Sequence, residues 1–314
     1  LIPLMAWGIG PGDAVFTTPF TYVATAEVIS ILGATPIFVD VYESTYNIDC
    51  DKLEVEIRKV VKEGKLKPKA IIPVDLFGLP ARYRLIDKIA KKYNLKVIED
   101  AAQSFGGSIR DKKVGVFGDV AATSFYPAKP LGCYGDGGAI FTNDDHLAQK
   151  MRGLVNHGMY KRYYHDLVGI NSRLDSVQAA ILNIKLKNLD KYNQSRRNSA
   201  MIYNKLINSS EIIKPIIKYN ENSHVFHQYT LRLTNGKRDE IVKFLNENDV
   251  PCGVYYPIPL HSQNAYKRDE YKESDFEITN QISNEVFSLP MHSELDEEQQ
   301  KYIADLVNQF VLKS

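Results

Sequence analysis

Three cysteines in 314 residues are too few and too scattered for a disulfide framework. Cys50, Cys133 and Cys252 form no Cys-x-x-Cys pair, and their odd number suits a reducing cytoplasm. Cys133 reads as a small buried thiol. An excess of one charge is also missing, with 39 Lys+Arg against 38 Asp+Glu and no long run of one sign. The basic footprint of a nucleic-acid binder is therefore absent. No apolar stretch is long enough to span a bilayer, and no signal-peptide pattern opens the chain. His224-x-x-His227 has a spacing found in metal sites. In an extended run, however, those positions point to opposite faces, and no cysteine or carboxylate cluster completes a tetrahedron. These histidines read as structural or surface residues, and no metal is expected. Neither a nucleic-acid nor a membrane partner is expected.

The first residue is Leu1, within apolar sequence that resembles the tail of a helix, so the chain reads as N-terminally incomplete. Gly8-x-Gly10-Pro11-Gly12 imitates a dinucleotide-binding fingerprint. It follows a helix-like segment, contains a proline and precedes a strand, so a plain turn is the better reading. From about residue 14 to 142, short runs rich in valine and isoleucine alternate with helical patterns. Strands are expected at Ala14–Thr18, Pro36–Val41, Ala70–Leu76, Lys96–Asp100, Ala121–Phe125 and Ala139–Thr142. Helices are expected at Tyr22–Leu32, Asp51–Glu63 and Ala81–Asn94, the second opening on Asp51-x-x-Glu54. Runs this apolar predict strands buried on both faces, in a largely parallel sheet covered by helices. Ligands in such folds sit at the carboxyl ends of the strands.

A helical pattern over Ser176–Ile207 is long enough to connect two domains. Beyond it, Gln228–Leu233 alternates like a half-exposed strand, Arg238–Asn248 reads as a helix, Gly253–Tyr256 as a strand and Glu297–Val311 as an amphipathic helix. The expected architecture is α/β: a large domain over residues 1–190 and a small C-terminal α+β domain over residues 191–314.

The most informative run is Thr123-Ser-Phe-Tyr-Pro-Ala-Lys129-Pro-Leu-Gly-Cys-Tyr-Gly-Asp-Gly-Gly-Ala139. It sets one lysine after an apolar strand-like segment and before a glycine-rich loop. A lysine held there loses hydration, which favours its neutral, nucleophilic amine. Upstream, Val97-Ile-Glu-Asp100 ends another apolar run with a carboxylate. Taken singly, Asp100 could be a helix cap, Gly135-Asp-Gly-Gly138 a turn and Lys129 a solvated side chain. Their order within one α/β domain points to a site. A lysine plus an acid, each at a strand end, is what pyridoxal 5′-phosphate needs: the lysine forms the Schiff base, and the acid keeps the pyridine nitrogen protonated so the ring can take up electrons.

At Asp100-Ala-Ala-Gln103, at Ser124-Phe-Tyr-Pro-Ala-Lys129 and at the following Gly-Asp-Gly-Gly-Ala, the chain resembles the DegT/StrS family of sugar-nucleotide aminotransferases. Gly169-Ile-Asn-Ser-Arg-Leu-Asp-Ser-Val-Gln-Ala-Ala and Tyr256-Pro-Ile-Pro-Leu-His261 look most like the branch that aminates UDP-linked 3-oxo sugars, including UDP-2-acetamido-2-deoxy-3-oxo-glucuronate. The resemblance implies the type I fold of pyridoxal phosphate enzymes, L-glutamate as amino donor, a nucleotide sugar as acceptor, and a homodimer with two shared active sites. By position, Lys129 carries the Schiff base, Asp100 pairs with the pyridinium nitrogen and Gln103 bonds the ring hydroxyl. Tyr22 stacks on the ring, Ser124 bonds the phosphate, and Asn171 reaches that phosphate from the partner subunit. Arg173, Tyr256 and His261 are the implied substrate contacts, with Arg173 suited to a sugar carboxylate. The family's glycine–threonine phosphate loop would precede Leu1, and Tyr255 stands where the family often has histidine. Two other readings stay open: a 4-keto sugar-nucleotide aminotransferase of the same family, and a non-catalytic regulatory homologue. Lys129 argues against the related dehydratases, which have histidine there.

Overall fold

In the computed structural model, which describes residues 1–269 and 271–313, the valine- and isoleucine-rich runs pair side by side. The elements run α1 (Ile2–Ala6), β1 (Asp13–Thr17), α2 (Ala24–Ile31), β2 (Thr35–Phe38), α3 (Cys50–Glu63), β3 (Lys67–Ile72), α4 (Tyr83–Tyr93) and β4 (Lys96–Asp100). A small hairpin, β5 (Ser108–Ile109) and β6 (Lys112–Lys113), precedes β7 (Val120–Ser124), β8 (Gly138–Phe141) and α5 (Asp145–Leu154). The main sheet has the order β2-β1-β3-β4-β7-β8. The first five strands are parallel, and β8 is antiparallel to β7 because a loop, not a helical crossover, joins them.

Neighbouring residues on these strands alternate between two cores. Phe16, Ile71 and Val97 pack with Leu53, Ile57 and Ile86 of α3 and α4. Val15, Ala70, Ile72 and Ile98 pack on the other face with Leu4 and Ile29 of α1 and α2. Burial on both faces is what the continuous apolar runs predicted. The alternation also aims the last two residues of β4: Asp100 shares the face of Ile98, toward α2, and Glu99 points the other way.

The chain continues through a hairpin, β9 (Met159–Lys161) and β10 (Tyr164–His165), to α6 (Ser176–Leu186) and α7 (Leu189–Leu206). The single helix expected over Ser176–Ile207 is thus two. Asn188 turns its Nδ2 back to the Ile184 carbonyl at 3.4 Å, the local competition with the backbone that ends helices. There follow β11 (Ile212–Ile213), β12 (Tyr229–Leu233), α8 (Arg238–Glu247), α9 (Glu277–Glu285), β13 (Val286–Leu289) and α10 (Glu297–Lys313). Three antiparallel strands, β11-β12-β13, carry a core made with α7, α8 and α10.

Other expectations need correction. Helix α3 begins at Cys50 and not at Asp51: Asp49 caps it, its Oδ1 accepting from the amides of Asp51 and Lys52, and Asp51 stands in the first turn. Gly253–Tyr256 is no strand. Only Gly253 bridges to Ser288, and the chain then leaves the sheet through a cis Tyr255–Tyr256 peptide. Strand β12 has the expected period of two, yet every residue in it is buried. Tyr229, Leu231 and Leu233 enter the core, and the polar face is covered too. There Thr230 and Ser288 join hydroxyls at 2.8 Å. Arg232 pairs with Glu285 at 2.6 Å and with Glu43 at 2.8 Å.

That arginine links the small sheet to the loop after β2. A second link is Asp40, whose carboxylate accepts from Lys52 Nζ and from the Ile278 and Thr279 amides at the start of α9. Arg232→Ala would strand Glu285 in a largely buried position. We expect it to cost about 3 kcal/mol, read as a lower urea midpoint with an unchanged slope. An unchanged midpoint would show that this ion pair adds no net stability.

Candidate active site

The site is built at the carboxyl end of the main sheet. Strands β1 and β3 are adjacent while β2 lies outside β1, so the chain reverses direction there and leaves a crevice. A cavity of about 860 Å³ opens over that end, and its walls include Tyr22, Asp100, Gln103, Ser124, Lys129 and Tyr256. Six of the nine residues singled out from sequence therefore meet in one place.

Lys129 is presented by a loop that cannot become a helix. Phe125 donates its amide to Gly137 O and Cys133 donates to Phe125 O, which folds residues 125–137 back on β7. The buried Cys133 thiol lies 3.0 Å from the carbonyls of both Phe125 and Gly135, the structural role expected for it. A Cβ on Gly132 would stand 2.4 Å from Pro127 O, so that position needs glycine. Lys129 itself closes the turn, its amide bonding Tyr126 O at 2.8 Å.

Asp100 is fixed from two sides. Thr25 on α2 donates its hydroxyl to Oδ2 at 2.8 Å, and the Ala102 amide donates to Oδ1 at 3.2 Å. Burial raises the Asp100 pKa, and those two donors together with the Lys129 charge pull it back. Burial likewise lowers the Lys129 pKa, against the attraction of Asp100. Gln103 accepts from the Phe77 amide at 2.7 Å and turns its Nε2 to the Tyr256 hydroxyl at 3.3 Å. Ser124 Oγ accepts from the Tyr126 amide at 3.2 Å. The Tyr22 and Tyr256 rings lie 6.5 Å apart between centroids.

Three of the nine lie elsewhere. Asn171 and Arg173 are exposed on a segment tied to the 156–157 turn, with Arg173 Nη1 bonding Asn156 Oδ1 at 2.7 Å. Arg173 borders a separate cavity of about 870 Å³ along the outer edge of β8. His261 is buried with its ring stacked on Phe276 at 4.1 Å, outside the lining of the Lys129 cavity.

The sequence reading missed Thr25, His227 and Gln228, all of which line the cavity. Thr25 stands three residues after Tyr22, a separation that shares a face once a helix begins. His227 is buried, and desolvation, with the charges of Lys129 and Arg196 behind it, holds its pKa well below the usual histidine range. It enters the wall as a neutral ring. His224 is buried too, stacked on Phe226 at 3.8 Å with Nδ1 accepting that residue's amide. Neither histidine is a surface residue.

A family model for the DegT/DnrJ/EryC1/StrS aminotransferases matches residues 1–308. The chain belongs to that family. It is 45% identical to a protein of Geobacillus stearothermophilus named a pleiotropic regulatory protein, over 98% of this chain and 81% of that one. It is 47% identical to the UDP-2-acetamido-2-deoxy-3-oxo-D-glucuronate aminotransferase of Pseudomonas aeruginosa, over 93% of this chain and 78% of that enzyme. The crystal structure of a family aminotransferase from Brucella abortus superposes with a TM-score of 0.94 at 44% identity, covering 98% of this chain and 82% of its own. NtdA of Bacillus subtilis, solved with bound cofactor PMP, superposes with a TM-score of 0.87 at 30% identity, covering 100% of this chain and 71% of its own. The fold is that of the type I pyridoxal phosphate enzymes, and the family is pyridoxal phosphate-dependent.

The residues present suit that cofactor. An acid fixed by two donors, an amine whose pKa burial lowers and an amide nitrogen on Gln103 share one cavity large enough for a ring and a substrate. No helix among the described residues is long and apolar enough to cross a membrane.

On the opposite face of β4, Glu99 accepts from the amides of Gly115 and Phe117, and burial with Asp75 nearby raises its pKa to about 9. Its unfolded value is about 4.3. A raised carboxyl stabilises the fold fully below the unfolded pKa, and that contribution is lost as pH rises through the folded one. Between pH 6 and pH 9.5, the melting temperature of the cofactor-free protein should therefore fall more in wild type than in Glu99→Gln. Parallel curves for the two proteins would contradict the assignment.

Proposed function

We propose that the protein transfers an amino group from L-glutamate to a keto group of a nucleotide-linked sugar, and that a UDP-3-oxo sugar is the preferred acceptor. The observation that carries this reading is the shared cavity of Asp100 and Lys129 in a chain of this family. The preference for a 3-oxo sugar rests on the likeness to the Pseudomonas aeruginosa enzyme.

Pyridoxal phosphate, when bound, supplies the electron sink that makes the α-hydrogen of an amino acid acidic. The protein's own groups supply the rest. Lys129 Nζ, with its pKa lowered by burial, takes and returns that proton as general base and acid. Positioned proton transfer of this kind is worth about 10²–10⁴ in rate. Asp100, oriented by its bonds from Thr25 and Ala102, would pair with the pyridine nitrogen and keep it protonated. Gln103 Nε2 would donate to the ring hydroxyl, and Ser124 and Tyr22 would help to hold the phosphate and the ring. Tyr256, at the end of the cavity formed by the C-terminal part of the chain, contacts the sugar.

The test is a coupled assay with UDP-3-oxo and UDP-4-oxo sugars, followed by mass analysis of the amino sugar, with Lys129→Ala as control. We expect faster conversion of the 3-oxo sugar and no turnover by Lys129→Ala. Preference for the 4-oxo sugar would place the enzyme in the other branch of the family. Turnover by neither sugar with cofactor bound would favour a regulatory role.

Asn171 and Arg173 complete the site of a second copy in a homodimer. Their exposure on one segment supports this, as does the match of Arg173 to a carboxylate or phosphate. Lys129→Ala and Arg173→Ala, each inactive alone, should recover about a quarter of wild-type activity when unfolded and refolded together, since half of such dimers are mixed and each holds one intact site. No recovery would mean that Arg173 acts within its own subunit.

A further inference from the structure

Behind the pyridine side of the cavity lies a fully buried carboxylate that the mechanism does not use. Asp75 follows β3, and its side chain gathers three donors: the Ala81 amide at 2.9 Å and the Tyr83 hydroxyl at 2.7 Å on Oδ1, and the Ser104 hydroxyl at 2.7 Å on Oδ2. Its backbone amide donates to the carbonyl of Asp100 at 3.1 Å, and the Asp100 amide donates back to Pro73 O at 3.0 Å. Two residues on, the Phe77 amide holds Gln103 Oε1. The turn that starts at Asp75 thus grips the segment 100–104 at three points. All three lie at or next to the residues assigned to the pyridine ring.

The grip has no slack. Ser104 is fully buried, and its amide closes a turn onto Ala101 O. Gly78, with φ +102°, lies so close to Gln103 that a Cβ there would meet the Gln103 carbonyl at 3.1 Å. Because the Ser104 amide is tied to Ala101 O and the Gly78 backbone closes on Gln103, a shift of Ser104 would be passed to the Asp100–Gln103 loop.

We propose that Asp75 is a positioning residue for the cofactor. By holding Ser104, it sets where the Asp100 carboxylate and the Gln103 amide stand, and so how tightly the pyridine ring is bound. This rests on the reading that Asp100 and Gln103 are the ring contacts. The Tyr83 and Ala81 bonds serve a different end, since they anchor the start of α4.

That division makes the proposal testable. Four variants are compared with wild type for pyridoxal phosphate dissociation constant, absorption maximum of the loaded protein and melting temperature: Asp75→Asn, Ser104→Ala, Tyr83→Phe and Asp100→Asn. Asp75→Asn and Ser104→Ala are each expected to weaken cofactor binding about tenfold and to move the absorption maximum in the same direction as Asp100→Asn. Tyr83→Phe should lower the melting temperature and leave affinity within about twofold. Should Asp75→Asn fail to fold, Ser104→Ala carries the test alone. The proposal is overturned if Asp75→Asn or Ser104→Ala lowers only the melting temperature, or if Tyr83→Phe weakens the cofactor as much as they do. If Asp100→Asn leaves affinity and spectrum unchanged, the reading of the ring contacts fails, and this proposal fails with it.

Discussion

Burial pushes an acid and an amine in one cavity toward neutrality, while the charge of each favours the ionised form of the other. The rest of the molecule keeps that balance in place. Asp100 ends β4 and Lys129 lies in the segment that follows the adjacent β7, and the parallel pairing of those strands brings them to the same end of the sheet. A transaminase needs both states within reach: an acid that stays charged against a ring nitrogen, and an amine that gives up its proton readily. Two hydrogen bonds and the Lys129 charge oppose the rise that burial imposes on the Asp100 pKa, and burial in a loop pinned by Cys133 and Gly132 lowers that of Lys129.

The C-terminal part of the chain finishes the cavity. His227, Gln228, Tyr255 and Tyr256 all come from the segments that enter or leave the small sheet. Their placement depends on how that sheet is tied to the large one. Apolar contact joins them, Ile282 and Val286 packing with Phe20 and Leu76, and polar ties add direction: Arg232 between Glu43 and Glu285, Asp40 at the start of α9, and the amides of Val225 and Gln228 on the Gly78 and Phe77 carbonyls. Directional bonds of this kind fix a relative orientation more sharply than apolar contact does, because each has a distance and an angle to satisfy. The same 76–78 turn that receives them also holds Gln103, so substrate side and cofactor side share one support.

Much of this was legible in the residues. Strands buried on both faces show as unbroken Val/Ile runs, so the six strands of the main sheet were found to within a few residues. Lys129, Asp100, Gln103, Ser124, Tyr22 and Tyr256 were all named from sequence, and one cavity collects them. What stayed hidden depends on distance along the chain. Thr25 lies 75 residues from the carboxylate it orients, and its spacing from Tyr22 is the one local sign of its place. The polar face of β12 looks solvated because Thr230 and Arg232 are polar, while the acids that cover it are Glu43 and Glu285. Helix α6 ends through a side-chain bond of Asn188 that no proline or glycine announces. Arg173 lies outside the cavity of its own chain, as the resemblance had implied for Asn171 alone, and its residue type does not reveal that placement.

One measurement tests the central pairing most directly. Reducing the cofactor-loaded protein with borohydride and sequencing its peptides by mass spectrometry shows which lysine carries the cofactor. The pyridoxyl phosphate label should be found on the peptide containing Lys129, and the yield should fall sharply in Asp100→Asn at limiting cofactor. Label on another lysine, or no label on a protein that still transaminates, would contradict the account.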